Sequence, residues 1–140
     1  MMMHITEEQF ATRFIPLVMG GGSLHKKKVE DQHILFVSAV LELDHNREYN
    51  EADLNSALKP WSAAFGEGFG LDHVTLRRYL IDEKYILRDA AGTVYRVNTN
   101  KLPVTYDEAI TGLDLERMLE EAHREREERK RKFMQSKNDG

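Results

Sequence analysis

The chain has 140 residues, with 20 basic and 24 acidic side chains, and is long enough for one domain with a modest core plus an appendage. None of its main segments carries a large basic excess, which counts against tight, non-specific binding to nucleic acid. The sequence contains no cysteine, so disulfides, thiolate metal sites and cysteine nucleophiles are excluded.

Two helices are predicted in the N-terminal third of the chain. Thr6 and Gln9 form a capping box, apolar residues follow at helical spacing, and the glycines at 20–22 end the first helix. The second helix, residues 27–43, has the broad apolar face of a helix that is central to a small core. A dense positive cluster lies at its start and consists of Lys26, Lys27 and Lys28.

A short strand, two helices and a loop are predicted next. Residues 47–49 are long enough only for a bridging strand, and Asn50 is the N-cap of a third helix that ends at Pro60. The glycine-rich loop that follows is longer than the usual turn between two such helices. Asp72 caps the fourth helix, which runs to about residue 84.

A β-hairpin is predicted after the fourth helix, with strands at residues 85–89 and 93–98 around a turn. Because side chains alternate across a strand, each face carries every second residue. One face is expected to carry Tyr85, Leu87, Tyr95 and Val97, and the other Arg88 and Arg96. The order of helix, bridging strand, helix, helix and hairpin is that of a winged helix-turn-helix. We therefore predict an α+β, mostly helical fold of this type.

The C-terminal part of the chain differs in character from the rest. Residues 99–113 are predicted to be a linker, and Asp114 begins a helix whose charged residues pair at four-residue spacing, which is typical of a solvated arm with a frayed end. Its first turns have an apolar side, a candidate surface for self-association, formed by Leu115, Met118, Leu119 and Ala122. The predicted organisation is an N-terminal helix packed on the core (1–22), a winged-helix-like domain (23–98), the linker (99–113) and the charged arm (114–140).

Several motifs of the central region resemble those of a known family. The matches are Asp72, the Leu-Arg-Arg-Tyr-Leu-Ile-Asp motif at 76–82, the lysines before the long helix, residues 49–55, Leu87-Arg88, Gly92 and Tyr95. With these features, residues from about 14 to 97 resemble DUF2087, an uncharacterised bacterial domain of unknown function. The resemblance implies a domain that occurs alone or attached to helix-turn-helix regulators and has no established activity. In that family a glycine usually ends the arginine-containing helix where this chain has Lys84, so a left-handed conformation would strain the lysine.

Arg77 and Arg78 are the pair on which a DNA-binding hypothesis depends. At about 100° per residue, Arg77 falls inside the apolar arc of its helix, so we expect a structural residue whose head meets a carboxylate. Arg78 falls roughly opposite and could contact a phosphate or a guanine edge. Asp82 lies one turn along the same face, so an ordinary surface ion pair is the alternative for Arg78. Asp72 and Tyr95 are also predicted to be structural residues.

The sequence carries no recognisable enzyme motif. Ser23 lacks the glycine on each side that a nucleophile elbow needs, and the glycines between residues 66 and 70 lack the spacing and ending of a phosphate-binding loop. None of the six histidines pairs with another at metal-ligand spacing. We therefore expect a non-enzymatic protein that uses no cofactor and no metal.

The location of the protein follows from two further features. The N-terminal residues lack the basic and apolar regions of a secretion signal. The longest mainly apolar run, residues 34–41, is too short to cross a bilayer. We therefore expect a cytoplasmic protein without a membrane partner.

Two functional hypotheses remain open. The first is a module of transcription regulation that makes weak or partner-assisted contact with duplex DNA. Its phosphate-facing residues would be Lys26, Lys27, Lys28, Arg78, Arg88 and Arg96. The second is a protein–protein interaction or dimerisation module without DNA binding, which uses the apolar side of the C-terminal helix to form a homodimer or to bind an unidentified protein. The balanced charge of the chain favours the second hypothesis.

Overall fold

The computed structural model describes residues 3–139, with side chains as far as residue 137. The predicted fold class is confirmed, because the chain is α+β and mostly helical. Its α-helices are α1 (Glu7–Gly20), α2 (Val29–Val40), α3 (Glu51–Trp61), α4 (His73–Asp82) and α5 (Leu115–Asp139). Its strands are β1 (Met3–Ile5), β2 (Ile86–Arg88), β3 (Tyr95–Val97) and β4 (Val104–Tyr106). The predicted fraying of the C-terminal end falls in part on Gly140, which lies outside the described residues.

Three of the helices begin at the N-cap residues that the sequence predicts. Thr6, Asn50 and Asp72 have extended backbones, and each side-chain oxygen accepts a hydrogen bond from a backbone N–H three residues later. The N···O distances are 3.1, 2.7 and 2.7 Å, respectively. Because these N–H groups have no partner inside the helix, each cap stabilises its helix by about 1 kcal/mol.

The core is built around α2. All of its residues from 33 to 40 are buried, and apolar side chains of the other helices join them in one contiguous cluster. Trp61 of α3 donates a hydrogen bond from Nε1 to the Ser38 hydroxyl of α2, at 2.9 Å. The helix is shorter at both ends than the predicted residues 27–43, because it begins after its N-cap residue, Lys28, and ends at Val40.

The N-terminal helix α1 packs on this core through aromatic rings. Phe10 and Phe14 are fully buried with ring centroids 5.3 Å apart, and Phe14 meets Phe65 edge-on. Arg13 donates two hydrogen bonds to the carboxylate of Asp31 on α2, at 2.6 and 2.9 Å. Apolar packing and a bidentate ion pair therefore hold α1 against α2.

β1 and β4 form a two-stranded parallel sheet that the sequence does not predict. Ile5 of β1 pairs with Tyr106, and both Val104 and Ile110 are buried in the core. The segment 99–113, predicted to be a linker, is therefore a structural part of the folded chain. Its sequence signal is weak, because β4 is only three residues long and its partner strand is distant in sequence.

α4 ends in a left-handed residue. Lys84 has φ 66°, and its N–H donates to the carbonyl of Ile81 at 3.1 Å. The N–H of Tyr85 donates to the carbonyl of Leu80 at 2.8 Å. These two bonds form the helix-ending motif in which glycine is usual, so the lysine occupies the strained position that the family resemblance suggests.

The hairpin that follows α4 has a different register from the predicted one. Arg88 of β2 lies opposite Tyr95 of β3, and Leu87 lies opposite Arg96. Residues directly opposite each other in an antiparallel pair share a face. The predicted grouping of Arg88 with Arg96 on one face is therefore wrong. The cause is the turn, which is one residue longer than predicted. The N–H of Asp89 donates to the carbonyl of Val94 at 3.0 Å, so four residues, 90–93, separate the strands and the register shifts by one.

The element order of the central region agrees with the predicted one. Tyr49, which lies between α2 and α3 in the sequence, forms a single β-bridge with Tyr95 of β3. The two residues exchange two backbone hydrogen bonds, at 2.7 and 2.8 Å. α3 continues through Pro60 into a π-helical turn, Ser62–Gly66, before the connection to α4. The order is that of a winged helix-turn-helix, and membership of that fold stays a prediction.

α5 consists of a docked base and an exposed arm. Leu115 is buried, and Met118 and Leu119 pack against the core. The predicted self-association surface is thus mostly covered by the chain itself, because the core satisfies the same apolar side that suggested a partner. From residue 123 to 137 every side chain is exposed. Neither α5 nor another helix within residues 3–139 has the length and apolar character that a membrane span requires.

Candidate nucleic-acid interface

A cleft of 250 Å³ lies between α4 and the hairpin. Its lining consists of Val74, Arg77, Arg78, Ile81, Asp82, Arg88 and Tyr95. Three arginines thus face one aspartate, which makes the cleft a positively charged depression with some apolar wall. The lining combines one side of α4 with the face of the hairpin that carries Tyr95.

Arg77 is held in place by contacts with α3. Its Nη1 donates to the side-chain oxygen of Asn55 at 2.7 Å and to the carboxylate of Glu51 at 3.2 Å. The Arg77 side chain is only 17% exposed, whereas that of Glu51 is 60% exposed. Arg77 therefore links α3 to α4 and adds its positive charge to the wall of the cleft.

Arg78 and Arg88 present unengaged guanidinium groups. Both residues are exposed, and neither forms an ion pair or a side-chain hydrogen bond with the part of the chain that the structure describes. Arg78 and Asp82 both line the cleft. Within residues 3–139 they do not form the surface ion pair that was the alternative for Arg78. Each guanidinium retains planar donors that match the oxygens of a phosphate or a carboxylate.

The other predicted phosphate-facing residues lie elsewhere. Arg96 is exposed opposite Leu87, on the face of the hairpin away from Arg88. Lys27 lines a separate cleft of 250 Å³ between α1 and α2. Lys26 and Lys28 are exposed beside it in the sequence. Of the six predicted residues, the structure thus joins Arg78 and Arg88 in the cleft, and it adds Arg77, to which the sequence assigns only a structural role.

The two other residues with a predicted structural role border the cleft region. Asp72 caps α4, and the hydrogen bond from the Thr75 backbone lowers the pKa of its carboxyl. Tyr95 is buried and joins the hairpin to Tyr49 through its backbone. Asp72 therefore fixes the start of α4, and Tyr95 fixes the position of the hairpin.

The acidic residue at the hairpin tip is engaged within the turn. The backbone N–H groups of Val94 and Thr93 donate to the Asp89 carboxylate, at 3.1 and 2.7 Å, and these bonds lower the pKa of Asp89. A free carboxylate at this tip would repel a DNA phosphate. The Asp89 carboxylate instead closes the turn, because its oxygens accept hydrogen bonds from the hairpin backbone.

Metal ligands are not grouped within residues 3–139. No set of three or more histidine, aspartate or glutamate side chains in this range is arranged to hold a metal ion. The chemistry that the cleft itself offers is the binding of an anionic group by arginine.

Comparisons with known proteins give one match. A family model described as "uncharacterized protein conserved in bacteria (DUF2087)" matches residues 25–97. This range includes α2, α3, α4, the hairpin and the whole lining of the cleft. No curated protein and no solved structure matches the chain significantly. The family model covers more than half of the sequence, and the chain belongs to the DUF2087 family.

Proposed function

We propose that this chain is a non-enzymatic DNA-binding module of transcription regulation, and that the cleft between α4 and the hairpin binds a phosphate of the duplex backbone. The proposal rests on one observation. Arg78 and Arg88 approach the cleft from two different elements with unengaged guanidinium groups, and Arg77 supports them from the wall. Arginine pairs bind phosphate oxygens through planar, charge-assisted hydrogen bonds.

The expected affinity is low. Two or three phosphate contacts release few counterions from DNA, whereas tight binders make six or more such contacts. The net charge of −4 adds long-range repulsion from the duplex. A module of this kind therefore functions with a partner protein or in several copies, and binding in isolation is measurable only at low salt.

The test is a comparison of single variants. Fluorescence anisotropy with a labelled duplex at low salt should show that Arg78→Gln and Arg88→Gln each weaken binding several-fold. Arg96→Gln removes the same charge from the other face of the same hairpin and should leave binding nearly unchanged. An equal loss for all three variants would mean that the overall charge is responsible and would refute the cleft as the binding site.

A protein-interaction module is the second candidate, because the cleft also suits an acidic peptide. Val74 and Ile81 add apolar surface beside the arginines, and carboxylates are alternative partners for guanidinium groups. This candidate predicts that duplex DNA does not bind even at low salt. Under the same conditions, an acidic peptide would bind and lose affinity on Arg78→Gln.

A further inference from the structure

The charges of α5 are segregated along its length. Residues 115–128 carry six acidic and three basic side chains, whereas residues 129–137 carry five basic and no acidic ones. We call residues 129–137 the basic segment. Its cations are Arg129, Lys130, Arg131, Lys132 and Lys137. The even balance over residues 114–140 as a whole conceals this strongly positive end.

Helix stabilisation accounts for only part of this distribution. Three of the five cations follow a glutamate by four residues, a spacing that supports the helix, but a positive surplus remains. The helix macrodipole favours cations only within about the last turn, whereas four of the five lie at 129–132 and the helix ends at Asp139. Lys130 and Lys132 have nearby carboxylates, but at N···O distances of 3.7 and 3.6 Å. Within the described residues, Arg129 and Arg131 form no ion pair. The segment therefore keeps a surplus of positive charge.

The basic segment is accessible from all sides. Every side chain from 123 to 137 is exposed, so the core does not cover this part of α5. At about 1.5 Å per residue, residues 123–137 form an arm roughly 22 Å long. Such a rod can lie along a charged surface without any rearrangement of the folded domain.

We infer that the basic segment is a second phosphate-binding element, which binds the nucleic-acid backbone electrostatically. This inference rests on the proposed function and extends it from one cleft to two separate sites. Five cations exceed the two unengaged arginines of the cleft, so the arm supplies most of the sequence-independent attraction. The cleft then positions the domain on the duplex.

The apolar content of the arm favours nucleic acid over a lipid surface. Phe133 and Met134 are exposed by 67% and 58%, but they are neighbours and point about 100° apart around the helix. A helix that lies in a membrane interface needs a continuous apolar stripe. The adjacent turns supply charged residues in its place, so attraction to phosphates is the dominant chemistry.

The test uses two full-length triple variants that remove equal charge. The first is Arg129→Gln, Arg131→Gln and Lys137→Gln, in the basic segment. Its control is Arg117→Gln, Arg124→Gln and Arg126→Gln, in the acidic part of the same helix. Glutamine has a helix propensity close to that of arginine and lysine, so the far-ultraviolet circular dichroism of both variants should stay at the wild-type level.

Binding to a random-sequence duplex across a salt series gives the decisive comparison. The basic-segment variant should lower the slope of log K against log salt by about 2.7, or about 0.9 per lost contact, and should weaken binding at least tenfold at low salt. The control should stay within about twofold of wild type. Equal losses in the two variants, or no loss in the first, would overturn the inference.

Two further measurements separate this inference from the proposed function. If Arg78→Gln with Arg88→Gln has no effect while the basic-segment variant loses binding, the arm inference stands and the cleft proposal fails. The reverse result overturns the arm inference alone. Vesicles of phosphatidylserine and phosphatidylcholine provide the third arm of the test. The inference would also be overturned if wild type sediments with these vesicles, the basic-segment variant does not, and neither protein binds the duplex.

Discussion

His33 and Tyr85 form a hydrogen bond inside the core, with 2.8 Å between the imidazole Nδ1 and the phenol oxygen. Tyr85 is fully buried. We expect Tyr85→Phe to lower the free energy of unfolding by about 1–3 kcal/mol, because the imidazole nitrogen would lose its partner away from water. Urea denaturation measures this change. Tyr79→Phe, at a half-buried tyrosine of α4, is the matched control and should cost clearly less.

The same histidine makes stability depend on pH. Burial lowers the pKa of His33, with a smaller opposing effect from Glu83, whereas an unfolded histidine titrates near pH 6.5. As pH falls, the unfolded chain therefore takes up the proton first. The stability contribution of His33 is complete above the unfolded pKa and is lost as pH falls through the lower, folded value.

The corresponding experiment compares wild type and His33→Gln by urea denaturation between pH 8 and pH 5. The wild-type free energy of unfolding should decline more steeply toward acid than that of the variant. Parallel curves for the two proteins would contradict a histidine that is buried in its neutral form.

A glycine at the end of α1 is required for close packing. Gly21 has φ 60°, and a Cβ atom there would lie 2.6 Å from the carbonyl oxygen of Gly68. Backbone strain alone costs about 1–3 kcal/mol, so Gly21→Ala should destabilise the fold by at least that amount. Gly20→Ala is the control, because its Cβ would meet no atom within 4 Å and alanine favours the helix. Thermal unfolding should show a lower Tm for the first variant only.

At the scale of the elements, the residue that ends α4 is not the one that would make the helix end most stable. Lys84 occupies a left-handed position where glycine is favoured. We expect Lys84→Gly to raise the free energy of unfolding by up to about 1 kcal/mol, since relief of strain exceeds the added entropy of the unfolded chain. Lys84→Ala should give no such gain. A glycine variant less stable than wild type would contradict the strain.

The elements that the sequence predicts correctly are those with local signals. Helix caps such as Asn50 and Asp72 can be recognised from a few neighbouring residues. The apolar residues of α2 recur at helical spacing along its whole length. β1 and β4 have no comparable signal, because each is three residues long and their pairing is a tertiary event. The cleft shares this limit. Arg78 can be placed from helical periodicity, but Arg88 reaches the same cleft through a strand register that the length of the hairpin turn determines.

The charge balance of α5 depends on how long a stretch of sequence is counted. Over residues 114–140 the acidic and basic side chains of the arm are balanced. The surplus appears only when α5 is divided between residues 128 and 129. This separation of charge can be recognised from the sequence alone. The packing of Leu115 against the core cannot, because it depends on the tertiary structure.

At the scale of the whole molecule, residues beyond the hairpin complete the core. Val104, Ile110 and Leu115 are buried, and each contributes about 1.5–3 kcal/mol by burial. Their sum approaches the total stability of a typical domain, about 5–15 kcal/mol. A chain that ends at Asn100 should therefore lose cooperative unfolding, whereas one that ends at Ala122 should unfold nearly as wild type does. Light scattering of the second chain also tests whether the arm mediates self-association.

The cleft between α4 and the hairpin carries the central claim, and a salt titration of duplex binding tests it most directly. Wild type and the double variant Arg78→Gln, Arg88→Gln are compared on one duplex, from low to physiological salt. We predict that the double variant binds more weakly and that its slope of log K against log salt is smaller by about 1.8, which corresponds to two lost phosphate contacts. The same slope and affinity in both proteins, or no binding to the duplex at low salt, would contradict the claim.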